Sequence, residues 1–258
     1  MLQKLLACAL LATLTACASY SPDKLDIDRS IQATSQNSRV EYVVLHYTSA
    51  GNEASLKILS ERNVSSHYLV TDEPRPHVYL LVDESRRAWH AGVSAWYGRT
   101  DLNSASIGIE IVNPGYENNT WAPYNPTQMR TVAALLKDII KRHQIKAFNV
   151  VGHSDIAPQR KIDPGPLFPW EALARQGIGR WYDPELARRH ELEFSRTGLP
   201  DIAWIQRELQ RVGYTVPASN KLDKATRNVI AAFQMHYRPE SYTGQPDAQT
   251  LGILKALP

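Results

Sequence analysis

"RVEYVVLHYT", residues 39–48, is a run of β-branched, aliphatic and aromatic residues. Such a run predicts a strand buried on both faces. Side chains alternate along a strand, so Tyr42, Val44 and His46 share one face and Val43, Leu45 and Tyr47 the other. "ASIGIEIVN", residues 105–113, repeats the pattern, with Ile107, Ile109 and Ile111 facing one way and Gly108 and Glu110 the other. An ionised carboxylate in an isoleucine strand is costly unless paired, hydrogen-bonded or near a metal. Glu110 therefore asks for a partner, which could be no more than an arginine, and His46 asks the same question.

Working outward, residues 53–62 predict a short helix, and "SSHYLV" (65–70) and "HVYLLV" (77–82) two more strands. Asn125 can cap a long helix, Pro126 suits its first position, and Gln128 sits where a capping box would place it. Met129, Val132, Leu136, Ile139 and His143 follow at helical spacing. "FNVVGHS" (148–154) returns as a strand. Strands interspersed with helices predict an α/β domain with one sheet over residues 39–180. Residues 181–199 are charged and read as a connector. In 200–258, Asp201, Asp223 and Asp247 each precede an apolar helical pattern, which predicts a small, separate three-helix bundle.

The N-terminus reads differently. Residues 1–16 hold one lysine and a short apolar run ending in Leu14-Thr15-Ala16, followed by Cys17. The run is too short to span a bilayer as an ordinary helix and has the form of an export signal. Leu-x-Ala-Cys resembles the lipobox of bacterial lipoproteins, which implies lipidation of Cys17. Ala18-Ser19 lacks the aspartate that retains such proteins in the inner membrane, so the resemblance implies an outer-membrane anchor facing the periplasm. The other cysteine, Cys8, leaves with the signal, and an exported chain with one thiol forms no internal disulfide. Residues 17–38 are polar and read as a tether. The net charge of +3 and the lack of a basic stripe argue against a nucleic-acid partner.

Two imidazoles and one carboxylate would leave a fourth zinc position open, as at a catalytic zinc. Residue type alone does not choose among eight histidines: His67 and His90 are as fair as His46 and His153. "VLHYT", "SSHYLV", "AWHAG", "SIGIEIVN", "GHSDIAP" and "KIDPGPLFPW" occur in that order over residues 44–170. Together they resemble the zinc-dependent type 2 N-acetylmuramoyl-L-alanine amidases, relatives of the peptidoglycan recognition proteins. The resemblance implies a mixed central β-sheet flanked by helices, and one catalytic zinc ion on His46, His153 and Asp163. It implies that Glu110 handles the proton of the attacking water and that Lys161 faces the carbonyl oxygen. The substrate implied is peptidoglycan or its muropeptides, in ordinary or 1,6-anhydro form, cut between N-acetylmuramic acid and L-alanine.

His67 reads mainly as structural. His90 and Trp96 are candidate substrate contacts; Trp96 and Tyr97 could equally be core. "IQRELQRVGY", "DKATRNVIAAFQMHY" and "DAQTLGILKAL" resemble the helical peptidoglycan-binding domain, although residues 217–222 lack the usual Asp-Gly pair. A bundle that only packs on or positions the catalytic domain is the other reading. The chain is expected to act as a monomer. A wall-binding protein without catalysis, which would release no product, and a zinc peptidase acting within the stem peptide, which would release fragments cut between amino acids, remain alternatives.

Overall fold

A computed structural model describes residue 25 and residues 27–258. The export signal, Cys17 and the first part of the tether lie outside the described residues. The chain divides into Met1–Gln36 and Asn37–Pro258. The described residues of the first unit contain no helix or strand. Among the described residues, no helix is long and apolar enough to cross a membrane.

The second unit is built on a five-stranded sheet. Strand β1 (Tyr42–Tyr47) is followed by helix α1 (Asn52–Glu61), β2 (Tyr68–Val70) and β3 (Val78–Leu80). A small hairpin, β4 (Ala95–Trp96) and β5 (Arg99–Thr100), precedes β6 (Ser106–Ile111). A second hairpin, β7 (Tyr116–Glu117) and β8 (Thr120–Trp121), leads into helix α2 (Pro126–His143), then β9 (Val150–Gly152). The strand order is β3-β2-β6-β1-β9, with β3 antiparallel to β2 and the other neighbours parallel. A parallel sheet needs both faces covered. On one face Val43, Leu45, Ile107, Ile109 and Ile111 pack with Val132, Leu136 and Ile139 of α2.

Asn125 caps α2 by accepting from the Thr127 N–H. Gln128 does not complete a capping box. Its Nε2 instead donates to the Val112 carbonyl at 2.8 Å, tying the helix start to the end of β6. The local spacing fitted a cap, but a carbonyl at the strand end is the stronger call on a buried amide.

Past β9 come two short helices, α3 (His153–Ile156) and α4 (Trp170–Ala174), and then α5 (Pro184–Thr197). The connector expected over 181–199 is thus mostly helical. Asp183 caps α5, and its Ala187 and Phe194 turn inward among the residues of the tail. The tail holds α6 (Ile202–Arg211), α7 (Lys224–Tyr237) and α8 (Ala248–Ala256), capped by Asp201, Asp223 and Asp247 respectively.

The expected C-terminal helices are present, and their apolar core continues into the sheet. Tyr42 and Val44, on the second face of β1, belong to one apolar cluster with Tyr214, Phe233 and Tyr237. Polar contacts reinforce the joint. Arg180 donates to the Tyr97 hydroxyl at 2.9 Å and to the Val212 carbonyl at 2.9 Å. The Tyr97 N–H donates to the Gly213 carbonyl, and Trp121 Nε1 donates to the Tyr242 hydroxyl. Helical propensity showed where these helices lie but not that their apolar faces exceed what three helices bury among themselves.

Helices α5 and α8 touch backbone to backbone at Gly252. A Cβ there would lie 2.7 Å from the Ala187 carbonyl oxygen and 2.8 Å from the Glu191 nitrogen. Alanine in place of a mid-helix glycine ordinarily gains about 1 kcal/mol. Here the added methyl overpacks the contact, which costs about 1–3 kcal/mol. Gly252→Ala is expected to lower the urea midpoint of unfolding; a raised midpoint would show that the helices can part freely.

Candidate metal centre

Parallel pairing of β1 with β6 sets His46 beside Glu110 in register, on the face opposite the isoleucines. His153 enters at the head of α3, directly after β9 on the other side of β1. Asp163 returns from the loop that follows, held where the Ser154 N–H donates to the Asp163 carbonyl at 2.8 Å. The three side chains converge. His46 Nδ1 lies 3.0 Å from His153 Nδ1 and 2.9 Å from Asp163 Oδ2, and His153 Nδ1 lies 3.0 Å from the same oxygen. All three residues are buried, and each offers one metal-ligating atom to a common point.

Hydrogen bonding around the rings decides where their protons sit. Ser106 Oγ donates to the Leu102 carbonyl at 2.6 Å, so the same oxygen accepts from His90 Nε2 at 3.1 Å. A neutral His90 then has a bare Nδ1, which accepts from His46 Nε2 at 3.0 Å. That leaves His46 Nδ1 without a proton and turned to the cluster. His153 Nε2 donates to the Ala91 carbonyl at 3.0 Å, so in the neutral ring Nδ1 is the bare nitrogen. Burial, reinforced by the neighbouring histidines, pulls His46 down to about 4 and His90 well below its ordinary value, so both are neutral at pH 7. Burial pushes the Asp163 carboxyl up, and what draws it down in the metal-free site is positive charge and hydrogen bonding from His153 and His46, which a bound cation would supply in their place when the rings are neutral. His46 Nδ1, His153 Nδ1 and Asp163 Oδ2 thus face one another about one hydrogen-bond length apart. A cation at their centre relieves that arrangement, and two imidazole nitrogens with one carboxylate oxygen are an ordinary donor set for a divalent metal.

The cluster lies in a cleft of about 410 Å³ whose lining includes Tyr47, Trp89, Glu110, Arg160 and Lys161. Glu110 Oε2 has no hydrogen-bond partner among the described residues. Loss of hydration, then the charge of Asp163, raises its carboxyl well above the usual range, with Lys161 opposing. A nearby cation would reverse that balance and favour the carboxylate.

The structure therefore brings together His46, His153, Asp163, Glu110 and Lys161. His90 borders the cleft, but both its ring nitrogens are engaged, so it orients His46 rather than presenting a free polar group to substrate. It fits because Gly108 has no side chain: a Cβ there would lie 2.4 Å from the His90 ring. Trp96 is not a groove residue. It is 2% exposed, its Nε1 donates to the Phe148 carbonyl, and its ring packs edge-on to Tyr214. Trp89, 52% exposed, lines the cleft in its place. Its position next to His90 in "AWHAG" was the available signal. His67 is structural: Nδ1 accepts from the Gly108 N–H and Nε2 donates to the Arg86 carbonyl. Ser106, which orders the relay, carries no local signal at all.

Comparison with known proteins agrees with this geometry. The profile of the N-acetylmuramoyl-L-alanine amidase family matches residues 36–166, and that of a peptidoglycan binding domain matches residues 199–254. The chain is 43% identical to the N-acetylmuramoyl-L-alanine amidase AmiD of Escherichia coli K12, over 98% of this chain and 95% of that protein. The chain belongs to the N-acetylmuramoyl-L-alanine amidase family. This amidase also resembles AmpDh3 of Pseudomonas aeruginosa in complex with anhydromuramic pentapeptide, with TM-score 0.84 and 40% identity over 91% of this chain and 97% of that one. Against E. coli AmiD in complex with anhydro-N-acetylmuramic acid-L-Ala-D-γ-Glu-L-Lys the TM-score is 0.81, at 43% identity over 90% of this chain and 93% of that one.

The raised carboxyl of Glu110 has a consequence for stability. A group whose folded value lies above its unfolded one stabilises the fold below the unfolded value and loses that contribution as pH rises. In metal-free protein the contribution of Glu110 is therefore expected to be lost as pH rises above its ordinary value of 4.5. Glu110→Gln, neutral at every pH, should escape this loss, so urea denaturation should find it increasingly more stable than wild type toward pH 8. Parallel pH profiles for the two would contradict the assignment.

Proposed function

We propose that this amidase binds one zinc ion on His46, His153 and Asp163 and hydrolyses the amide between N-acetylmuramic acid and L-alanine. The observation that carries the metal reading is the buried convergence of His46 Nδ1, His153 Nδ1 and Asp163 Oδ2, each about 3 Å from the others. When bound, zinc supplies Lewis acidity, lowering the pKa of water from about 15.7 toward roughly 7 and polarising the scissile carbonyl. Glu110 faces the same cleft with an unpartnered oxygen. It takes a proton from the water as the water oxygen bonds to the carbonyl carbon. Lys161 stabilises the negative charge that develops on the carbonyl oxygen. Glu110 then returns the proton to the nitrogen as the carbon–nitrogen bond breaks, giving a muramic carboxylate and a stem peptide with a free L-alanine amine. The anhydro sugars in the complexes of AmpDh3 and AmiD support acceptance of the anhydro form here.

The lipobox-like Leu14-Thr15-Ala16-Cys17 supports lipidation at Cys17 and anchorage to the outer membrane, facing the periplasm. The described unit would then act as a monomer on a tether of about twenty mostly polar residues.

The test is hydrolysis of a muramyl tripeptide by the purified protein, followed by mass spectrometry. Release of intact stem peptide, lost on chelation and restored by zinc, is expected. Cleavage between amino acids, or turnover indifferent to chelation, would contradict the proposal. Lys161→Ala should keep its zinc and lose roughly a hundred- to a thousand-fold in kcat; near-native turnover would remove Lys161 from the mechanism.

A further inference from the structure

The metal ligand His153 stands on a helix of one turn. Such a turn does not hold itself, because closing it costs more conformational entropy than its few hydrogen bonds return. The support comes from Asp155, a carboxylate 1% exposed. Its Oδ2 accepts from the Gly152 N–H at 2.7 Å and from His236 Nδ1 at 2.8 Å. Its Oδ1 accepts from the Tyr214 hydroxyl at 2.6 Å. Gly152 is the residue directly before His153. Tyr214 and His236 belong to the tail, outside the residues that match the amidase profile.

Both tail groups are held firmly. The His236 ring is stacked between Trp170, at 3.9 Å and 11°, and Tyr237, at 4.1 Å and 17°. Tyr214 packs edge-on against Trp96 at 4.9 Å. Burial, then the charge of Asp155, pushes the Tyr214 hydroxyl well above its ordinary value, so it remains a donor.

We propose that Tyr214 and His236 are positioning residues of the metal centre, holding the Gly152–His153 turn through Asp155 so that His153 Nδ1 stays aimed at the other two ligands. The proposal rests on the metal reading above. Without the two tail donors, Asp155 is a buried carboxylate with one backbone partner, and a buried acceptor left short of partners drives rearrangement. Ligand distances tolerate deviations of about 0.2 Å. Losing an outer hydrogen bond to a ligand typically weakens metal binding about 10- to 100-fold. The tail is then part of the catalytic apparatus, whatever else it binds.

The experiment measures the zinc dissociation constant, by competition with a chromophoric chelator, and the visible spectrum of the cobalt-loaded full chain. Tyr214→Phe and His236→Phe remove the donors and keep aromatic rings in place. Tyr97→Phe is the control: it breaks the 2.9 Å bond from Arg180 in the same joint without touching Asp155. Both tail variants should bind zinc about 10- to 100-fold more weakly and shift the cobalt bands, while Tyr97→Phe keeps wild-type values. Native zinc affinity and cobalt bands in folded Tyr214→Phe would overturn the proposal, as would equal weakening in Tyr97→Phe. Tyr214→Phe deletes a single oxygen, so it decides the question if His236→Phe does not fold. A wild type that binds no zinc would overturn the metal reading itself, and this proposal with it.

Discussion

The site depends on a one-way chain of hydrogen bonds. The Leu102 carbonyl can only accept, so Ser106 donates to it, His90 donates to Ser106, and His46 donates to His90. Each link fixes the tautomer of the next, and the last leaves Nδ1 of His46 bare in the cleft. A second carbonyl, at Ala91, does the same for His153. Together these two carbonyls fix which nitrogen of each neutral imidazole faces the cluster. Without them either ring could flip, and the cluster would be three buried polar groups sharing protons.

The sheet is what makes that chain possible. Parallel register places His46 and Glu110 side by side, and Gly108, two residues earlier on the same face, leaves room for His90 behind them. One face of β1 is covered by α2, and the other changes character along its length: Tyr42 and Val44 join the apolar cluster shared with the tail, and His46 opens into the cleft. Catalytic sheet and tail thus share a core. The segment that matches a peptidoglycan binding domain is here also the cover of a sheet face.

Period-two alternation in residues 42–47 and 106–111 made the central strands legible, and the aspartates at 201, 223 and 247 marked the tail helices because an N-cap is a local interaction. What local pattern did not carry was any choice settled by distant residues. Gln128 fits a capping box by spacing but bonds a carbonyl at the end of β6. Trp96 and Trp89 have similar surroundings in sequence; only the tail, packed over one of them, decides which is core. The helix at 184–197 has few apolar positions, and its partner lies about sixty residues downstream. The ligand set itself was legible through motif order across residues 44–170, not through residue type, since every histidine is alike until the fold sorts them.

The central claim is that His46, His153 and Asp163 hold a metal with their inward atoms. The direct measurement is anomalous diffraction above and below the zinc edge from crystals grown with zinc. The account predicts one strong peak bounded by His46 Nδ1, His153 Nδ1 and Asp163 Oδ2, absent below the edge. No peak there, or a peak bound through the Nε2 atoms, would contradict it.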